Sequence, residues 1–331
     1  MTLHPNRRHL LAAIGAALPS LAWPQAPAIL DKITVAGWSK PITEVTPLLI
    51  DEDKGFYRAQ GLALAYLPGA GGGDALRNLL SGQADLAFTD PGSLFAALDQ
   101  GERLRAVYDI YPQNVFNVVS LRKSGIRRPA DLKGKKIGVY SLASGTRQAL
   151  LVLLHQAGLT EADVTVVVTG LLNFAPLLQG QVDATAATDT GLAIGRRRGI
   201  GEVDVMAVAQ FLNVSSDLFV VREDSYQRRK DLLRRFLRAY RDAAAWMIAE
   251  PAEAAQLAVK RAIDGSDPQL NLELIGLRNA ASVSALTRDK GLGALDLASL
   301  QKAADVYRQL GLVQRPLDMA QVVATDLLPG R

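Results

Sequence analysis

Short apolar runs alternate with segments of helical periodicity from Lys32 onward. Runs of strand length cover residues 33–37, 62–67 and 84–88, and the residues between them have the spacing and end signals of helices, including one helix predicted over residues 46–59. Because strands that alternate with helices usually pair in parallel, the pattern predicts an α/β fold with mostly parallel sheets.

The alternation is interrupted at two strands that no crossover helix follows. The first covers residues 114–122 and the second covers residues 216–222, after which the chain is helical. Two strands that leave one αβ unit for another predict a hinge between two lobes that close on a cleft. We expect lobe 1 to begin with residues 29–118, lobe 2 to contain residues 119–215, and residues 216–331 to return to lobe 1 as a helical tail.

The amino terminus has the order of a cleavable export signal. Arg7 and Arg8 precede an apolar run from Leu10 to Leu21, and small residues follow the run. We therefore predict a signal peptide over residues 1–28 and a periplasmic location. The signal fits either the general secretory route or the twin-arginine route. The apolar run is too short to serve as a membrane anchor.

Composition removes several kinds of chemistry. Hydrophobic residues make up 49% of the 331 residues and charged residues 21%, which is typical of a globular protein. There is no cysteine, which excludes disulfides, thiolate metal sites, cysteine nucleophiles and cysteine-linked lipid anchors. Cleavage near residue 28 would leave His155 as the single histidine, inside an apolar helical segment. We therefore predict no catalytic residue, no cofactor and no metal, although carboxylates alone could still hold a metal ion.

The charge distribution does not favour nucleic acid as a partner. There are 37 basic and 33 acidic residues, and the densest basic runs, residues 196–198 and 228–235, contain no interleaved aromatic residues. We interpret these runs as solvated helix faces.

The candidate binding residues come from the loops after the strands. In parallel sheets ligands bind beyond the carboxyl ends of the strands, where helix amino termini also converge. These loops are rich in Ser, Thr, Gly and aromatic residues, a composition that suits a binding cleft. Asp90 and Asp189 could pair with an amine-bearing ligand or could simply cap helices. The candidates are Trp38 and Tyr111 as apolar walls, together with Ser39, Gly71, Gly72, Thr89, Asp90, Ser141, Ser144, Gly145, Thr146, Asn173 and Asp189.

Four short segments, in this order, resemble a known family. They are residues 51–57 (DEDKGFY), 81–87 (SGQADLA), 131–139 (DLKGKKIGV) and 180–184 (GQVDA). Together they resemble the periplasmic solute-binding proteins of ABC importers, in the branch that binds nitrate, sulfonates, taurine and thiamine-pyrimidine precursors. The resemblance covers roughly residues 31–250.

The resemblance implies a two-lobed periplasmic-binding-protein fold of type II, with two parallel or mixed sheets flanked by helices. It also implies a monomer that traps a small polar or anionic solute and delivers it to a membrane permease with its ATPase. Two departures narrow this expectation. Sulfonate-binding relatives often carry a histidine soon after the serine that corresponds to Ser144, and none is present here. The pyrimidine-synthesising eukaryotic relatives use a cysteine-rich motif, which this chain lacks.

Two other functions remain open from the sequence. One is a periplasmic sensor partner that reports a solute to a membrane kinase. The other is a secreted hydrolase or lyase in which Asp189 acts as the base and faces Asp90 across the cleft.

Overall fold

The protein is described here as a computed structural model that covers residues 1–2, 29–172 and 174–328. The predicted signal segment, apart from its first two residues, and the candidate Asn173 lie outside these residues.

Within the described ranges, ten strands form two five-stranded sheets, one in each lobe. The sheet of lobe 1 has the order β2-β1-β3-β10-β4, and that of lobe 2 has the order β7-β6-β8-β5-β9. The strands are β1 (Asp31–Ala36), β2 (Leu62–Leu67), β3 (Leu86–Thr89), β4 (Leu104–Tyr111), β5 (Phe116–Leu121), β6 (Lys136–Val139), β7 (Thr165–Val168), β8 (Ala184–Thr188), β9 (Val203–Ala207) and β10 (Asp217–Arg222). In each sheet the strand that arrives from the other lobe, β5 or β10, runs antiparallel to both neighbours. The predicted two-lobed α/β fold with two mixed sheets is confirmed.

Two segments connect the lobes. Strand β4 ends at Tyr111 and β5 begins at Phe116, while β9 ends at Ala207 and β10 begins at Asp217. The sequence places the first boundary at residue 118, which is inside β5. All of β5 pairs within the second sheet, so the crossing lies at residues 112–115.

In the described residues, twelve α-helices flank the sheets. They are α1 (Asp51–Lys54), α2 (Gly72–Leu80), α3 (Pro91–Asp99), α4 (Gly145–Gln156), α5 (Ala175–Leu178), α6 (Asp189–Arg197), α7 (Glu223–Arg228), α8 (Lys230–Ala249), α9 (Pro251–Arg261), α10 (Pro268–Ala281), α11 (Ala285–Lys290) and α12 (Leu297–Gln309). Within the described part of the chain, no helix has both the length and the apolar character needed to cross a membrane.

The helix predicted over residues 46–59 is wrong. The chain there forms a 3₁₀ helix at Thr43–Leu48, the short α1, and a second 3₁₀ helix at Arg58–Gln60. Pro47 lies inside the first of these, and Gly55 adopts a left-handed conformation (φ +72°) that ends α1. The break matters because it places the first 3₁₀ helix, with Glu44, against the cleft.

The helical tail packs on the sheet of lobe 1 through aromatic rings. Phe219 on β10 contacts Tyr240 and Phe236 of α8, with ring centroids 4.7 and 5.3 Å apart in edge-to-face geometry. All three side chains are buried. This packing fixes the carboxyl-terminal helices to lobe 1, so α10 reaches the cleft from a rigid support.

Candidate ligand-binding cleft

A cavity of about 300 Å³ lies between the two lobes. This volume is at the lower end of the range for small-molecule sites. The cavity is lined by loops that follow strands in both lobes and by side chains from α6 and α10. Seven of the sequence-predicted residues line it: Trp38, Gly71, Gly72, Asp90, Ser144, Gly145 and Thr146.

The lobes contact each other at the edge of this cavity. The amide of Gly73 donates to the carbonyl of Ala143 (3.0 Å), and the Ser141 hydroxyl donates to the carbonyl of Ala70 (2.5 Å). Gly71 must be glycine here, because its φ is +124° and an added Cβ would lie 2.4 Å from the Ala143 oxygen. The cavity is therefore closed on this side by backbone contacts between lobes.

An aromatic corner forms one wall. The indole of Trp38, after β1, meets the ring of Tyr140, after β6, at a centroid distance of 6.1 Å and an interplanar angle of 87°. Phe116 and Phe174 of lobe 2 also line the cavity. The indole Nε1 of Trp38 is buried and has no hydrogen-bond partner in the described protein. The corner thus offers flat apolar surface and one unused donor.

A buried cluster of charged side chains forms a second wall of the cavity. Arg278 of α10 is 1% exposed; its guanidinium lies 3.7 Å from Glu44 Oε2, contacts Asp189 and stacks 4.9 Å above the Tyr111 ring. Glu44 Oε1 accepts from the Thr190 hydroxyl at 2.8 Å. Burial raises the pKa of Glu44, and the nearby Arg278 partly offsets this effect. The single buried cation of this cluster is therefore shared by two carboxylates.

Two further acids line the cavity from lobe 1. Asp90 caps α3: its carboxylate accepts from the Ser93 amide (2.9 Å) and the Ser93 hydroxyl (2.7 Å). Burial raises the pKa of Asp90. The pKa of Asp217 is raised well above its usual range by burial and, secondarily, by Asp90. Burial therefore disfavours the charged form of both acids at this wall of the cavity.

Five predicted residues do not line the cavity. Ser39 donates to the Lys40 carbonyl, Thr89 is fully buried, and Ser141 ties the lobes together. Tyr111 is not the predicted apolar wall, because Arg278 covers its ring and its hydroxyl donates to the Glu44 carbonyl (3.2 Å). Asp189 faces Arg278 instead of the cavity.

Fifteen of the described residues line the cavity without being singled out by the sequence. Tyr140 and Phe174 adjoin predicted loop residues, so a search for aromatic residues beside those loops would have found them. Arg278 lies in the helical tail, and no local pattern marks it. The fifteen are Ile42, Glu44, Phe116, Tyr140, Leu171, Phe174, Thr188, Gly191, Ile194, Gly195, Arg198, Asp217, Ile263, Asp264 and Arg278.

The described lining of the cavity contains no histidine. His155 is exposed on α4 and does not line the cavity. Across residues 1–2, 29–172 and 174–328, no group of three or more His, Asp or Glu side chains is arranged to hold a metal ion.

The comparison with known families is consistent with this geometry. The NMT1/THI5-like family model matches residues 42–254. The chain belongs to the NMT1/THI5-like family. The resemblance predicted from the sequence is confirmed at this level.

Individual relatives of the chain differ in function. The riboflavin-binding protein RibY of Chloroflexus aurantiacus is 26% identical over 322 residues, covering 95% of this chain and 91% of that protein. The 4-amino-5-hydroxymethyl-2-methylpyrimidine phosphate synthase THI5 of Saccharomyces cerevisiae is 25% identical and covers 74% of each chain. The alkanesulfonate-binding protein SsuA of Xanthomonas axonopodis pv. citri, solved with bound MOPS, is 19% identical, has a TM-score of 0.71, and covers 91% of this chain and 100% of that chain. The chain therefore has the fold of periplasmic solute-binding proteins, in a family that also contains synthases.

Proposed function

We propose that this protein is the periplasmic solute-binding component of an ABC importer, and that its solute is a small planar heterocycle that is neutral or carries an amino group. The observation that carries the proposal is the cavity itself, enclosed by contacts between the lobes and bounded by the Trp38–Tyr140 corner. Binding between two lobes is the means by which such proteins trap a solute and present it to a permease with its ATPase.

The charges around the cavity favour this solute class over an anion. The buried guanidinium of Arg278 is matched by Glu44 and Asp189, and Asp90 and Asp217 add further buried carboxyl groups. A sulfonate or nitrate ion at this guanidinium would have to compete with Glu44 and Asp189, and would lie near further carboxyl groups. We therefore narrow the wider class that the sequence suggests to its pyrimidine-like members.

Four buried polar atoms on the lining residues have no hydrogen bond: Nε and Nη2 of Arg278, whose guanidinium contacts Asp189, and two atoms that a ring could satisfy. Trp38 Nε1 is a donor without a partner, and Glu44 Oε2 is an acceptor without a hydrogen bond. A buried polar group left unpaired costs about 1–3 kcal/mol, so a ligand that satisfies both gains affinity. A ring with one acceptor and one N–H donor at its edge fits these two atoms, as an aminopyrimidine does.

Binding is favoured over catalysis because Asp90 and Asp189, the two acids that could face each other across the cleft, are already engaged. Both Asp90 oxygens accept from Ser93, and Asp189 contacts Arg278. A secreted hydrolase or lyase would require two opposed acids with a free proton-transfer role. The synthases among the relatives make turnover the alternative to test.

The test is a calorimetric and thermal-unfolding screen of residues 29–331. The panel contains 4-amino-5-hydroxymethyl-2-methylpyrimidine, riboflavin, taurine, ethanesulfonate and nitrate. A ligand at about 1,000 times its Kd should stabilise the protein by roughly 4 kcal/mol. We expect stabilisation by the pyrimidine or the flavin and none by the anions.

Binding of sulfonates alone would overturn the proposed solute class. Chemical conversion of the bound compound, detected by mass spectrometry, would overturn the proposed function as a binding protein. Co-purification with the permease would separate importer from sensor.

A further inference from the structure

The ionic cluster joins the two lobes through two consecutive residues of α6. Asp189 contacts the guanidinium of Arg278, and the hydroxyl of Thr190 donates to Glu44 Oε1. Glu44 and Arg278 belong to lobe 1, whereas Asp189 and Thr190 begin the first turn of α6 in lobe 2. Both contacts therefore exist only while the lobes are together.

The geometry within the cluster is unequal. Asp189 lies in direct contact with Arg278, whereas Glu44 Oε2 is 3.7 Å from the nearest Arg278 nitrogen, beyond hydrogen-bond distance. Glu44 Oε2 has no hydrogen-bond partner, and Glu44 lines the cavity. Lobe 2 thus takes the closer contact with the cation, and an oxygen of lobe 1 remains available at the cavity wall.

We propose that Asp189 is a positioning residue that competes with Glu44 for Arg278 when the cleft closes, and so frees Glu44 Oε2 to accept a hydrogen bond from the solute. The inference rests on the proposed function and deepens it. Closing lobe 2 completes the recognition site in lobe 1, because the acceptor is released only when Asp189 arrives. A solute without an N–H donor gains nothing from this release, so the cluster selects donor-bearing rings.

The experiment compares Asp189→Asn with Glu161→Gln in the mature chain. Glu161 is a matched control: it is the acidic partner of Arg147, its side chain is 36% exposed against 32% for Asp189, and it lies in lobe 2 away from the cavity. Calorimetry with 4-amino-5-hydroxymethyl-2-methylpyrimidine should show at least about tenfold weaker binding for Asp189→Asn, since a hydrogen bond to a charged group is involved. Glu161→Gln should stay within about twofold. Equal affinities of the two variants would overturn the proposal.

A double-mutant cycle with Glu44→Gln separates positioning from general damage. If Asp189 acts through Glu44, Asp189→Asn should cause little further loss of affinity once Glu44 is neutral. Additive losses would show that Asp189 acts independently and would overturn the proposal.

Failure of the wild type to bind any probe would count against the proposed function instead. In that case the same cycle is measured on thermal unfolding of the ligand-free protein. Coupling between residues 44 and 189 would support charge sharing, and additivity would overturn it.

Discussion

The two sides of the cleft differ in chemistry. Lobe 1 contributes most of the charged groups, namely Glu44, Asp90, Asp217, Asp264 and Arg278, together with the indole of Trp38. Lobe 2 contributes rings, hydroxyl groups and aliphatic side chains, with Arg198 as its only charged residue among the described lining residues. Under the proposed function, we therefore expect lobe 1 to contact the polar edge of the solute and lobe 2 to cover its faces.

The uneven distribution of charge also affects the free energy of closing the cleft. Buried charged groups need partners or altered protonation, and in this protein lobe 1 holds nearly all of them near the cleft. A lobe that covers the solute mainly with apolar and hydroxyl groups closes without burying new charges, apart from Asp189.

The largest effect we expect is on the stability of lobe 1 as pH changes. Asp109 on β4 is buried and accepts a hydrogen bond from Ser215 (2.8 Å) beside the interlobe crossing; burial raises its pKa to about 8. An acid whose pKa is raised on folding keeps its proton in the folded state after the unfolded state has lost it. Stability is therefore greatest below the unfolded pKa, 3.8, and falls as pH rises toward about 8, by about 1.4 kcal/mol per pH unit.

Asp109→Asn should flatten this part of the stability curve, as measured by urea unfolding at pH 5 and pH 7.5. Ser215→Ala is the companion variant, because it removes the hydrogen bond that lowers the pKa of Asp109. It should leave the slope nearly unchanged and extend the loss of stability above about pH 8, which a further measurement at pH 9 would show. Parallel curves for wild type and Asp109→Asn would contradict the prediction.

The next effect concerns recognition by lobe 1. Trp38→Ala removes both the flat wall and the unused indole donor, so affinity for the bound heterocycle should fall at least tenfold. Trp38→Phe keeps an aromatic ring and removes only the indole donor, so its affinity should lie between those of the wild type and Trp38→Ala. Ile194→Ala on α6 is the corresponding variant in lobe 2. We expect a smaller loss of affinity, because the substitution removes part of an aliphatic side chain and no polar atom. Calorimetry on all three variants checks the order, and an equal loss for Ile194→Ala would remove the asymmetry between the lobes.

Closure by backbone contact can be tested separately. In Gly71→Ala the new methyl group would lie 2.4 Å from the Ala143 carbonyl and at a strained φ, so the lobes cannot meet as they do here. Since affinity falls with the population of the competent state, we expect about tenfold weaker binding and a larger radius of gyration by small-angle scattering. Gly134→Ala also adds a methyl group at a positive φ (+73°, against +124° at Gly71) but with nothing within 4 Å, and controls for a substitution that creates no steric clash. A compact Gly71→Ala protein with normal affinity would refute the closure contact.

Sequence periodicity predicts the fold well because each lobe is a local repeat of strands and helices. Part of the lobe 2 wall can be predicted from the sequence for the same reason. Ser144, Gly145 and Thr146 lie in the segment after β6, at the start of α4. The sequence places Tyr111 correctly at the end of β4. It does not show that Arg278, from a distant helix, covers the Tyr111 ring.

The charged wall could not be predicted in this way. Arg278 and Glu44 are 234 positions apart in sequence and meet only because the helical tail packs on lobe 1. Glu44 lies two residues before the segment predicted as a helix (46–59), which Pro47 and Gly55 divide into short turns. Local pattern thus locates loops after strands, but it does not locate partners that tertiary packing brings together.

The smallest effect we expect is at the exposed contact between the lobes. Arg197 of α6 reaches Asp267 at 3.1 Å and Gln269 at 3.2 Å, with both charged side chains at least 40% exposed. Ion pairs of this kind contribute about 0–1 kcal/mol and are screened by salt. Arg197→Gln should therefore weaken solute binding by no more than about fivefold at low salt, and the difference from wild type should vanish near 0.5 M salt. The buried cluster of Arg278 is shielded from solvent, so the affinity loss in Asp189→Asn should persist at the same salt concentration. Calorimetry of both variants at low and high salt makes the comparison; a loss that salt abolishes in both would place the cluster and the surface pair in the same class.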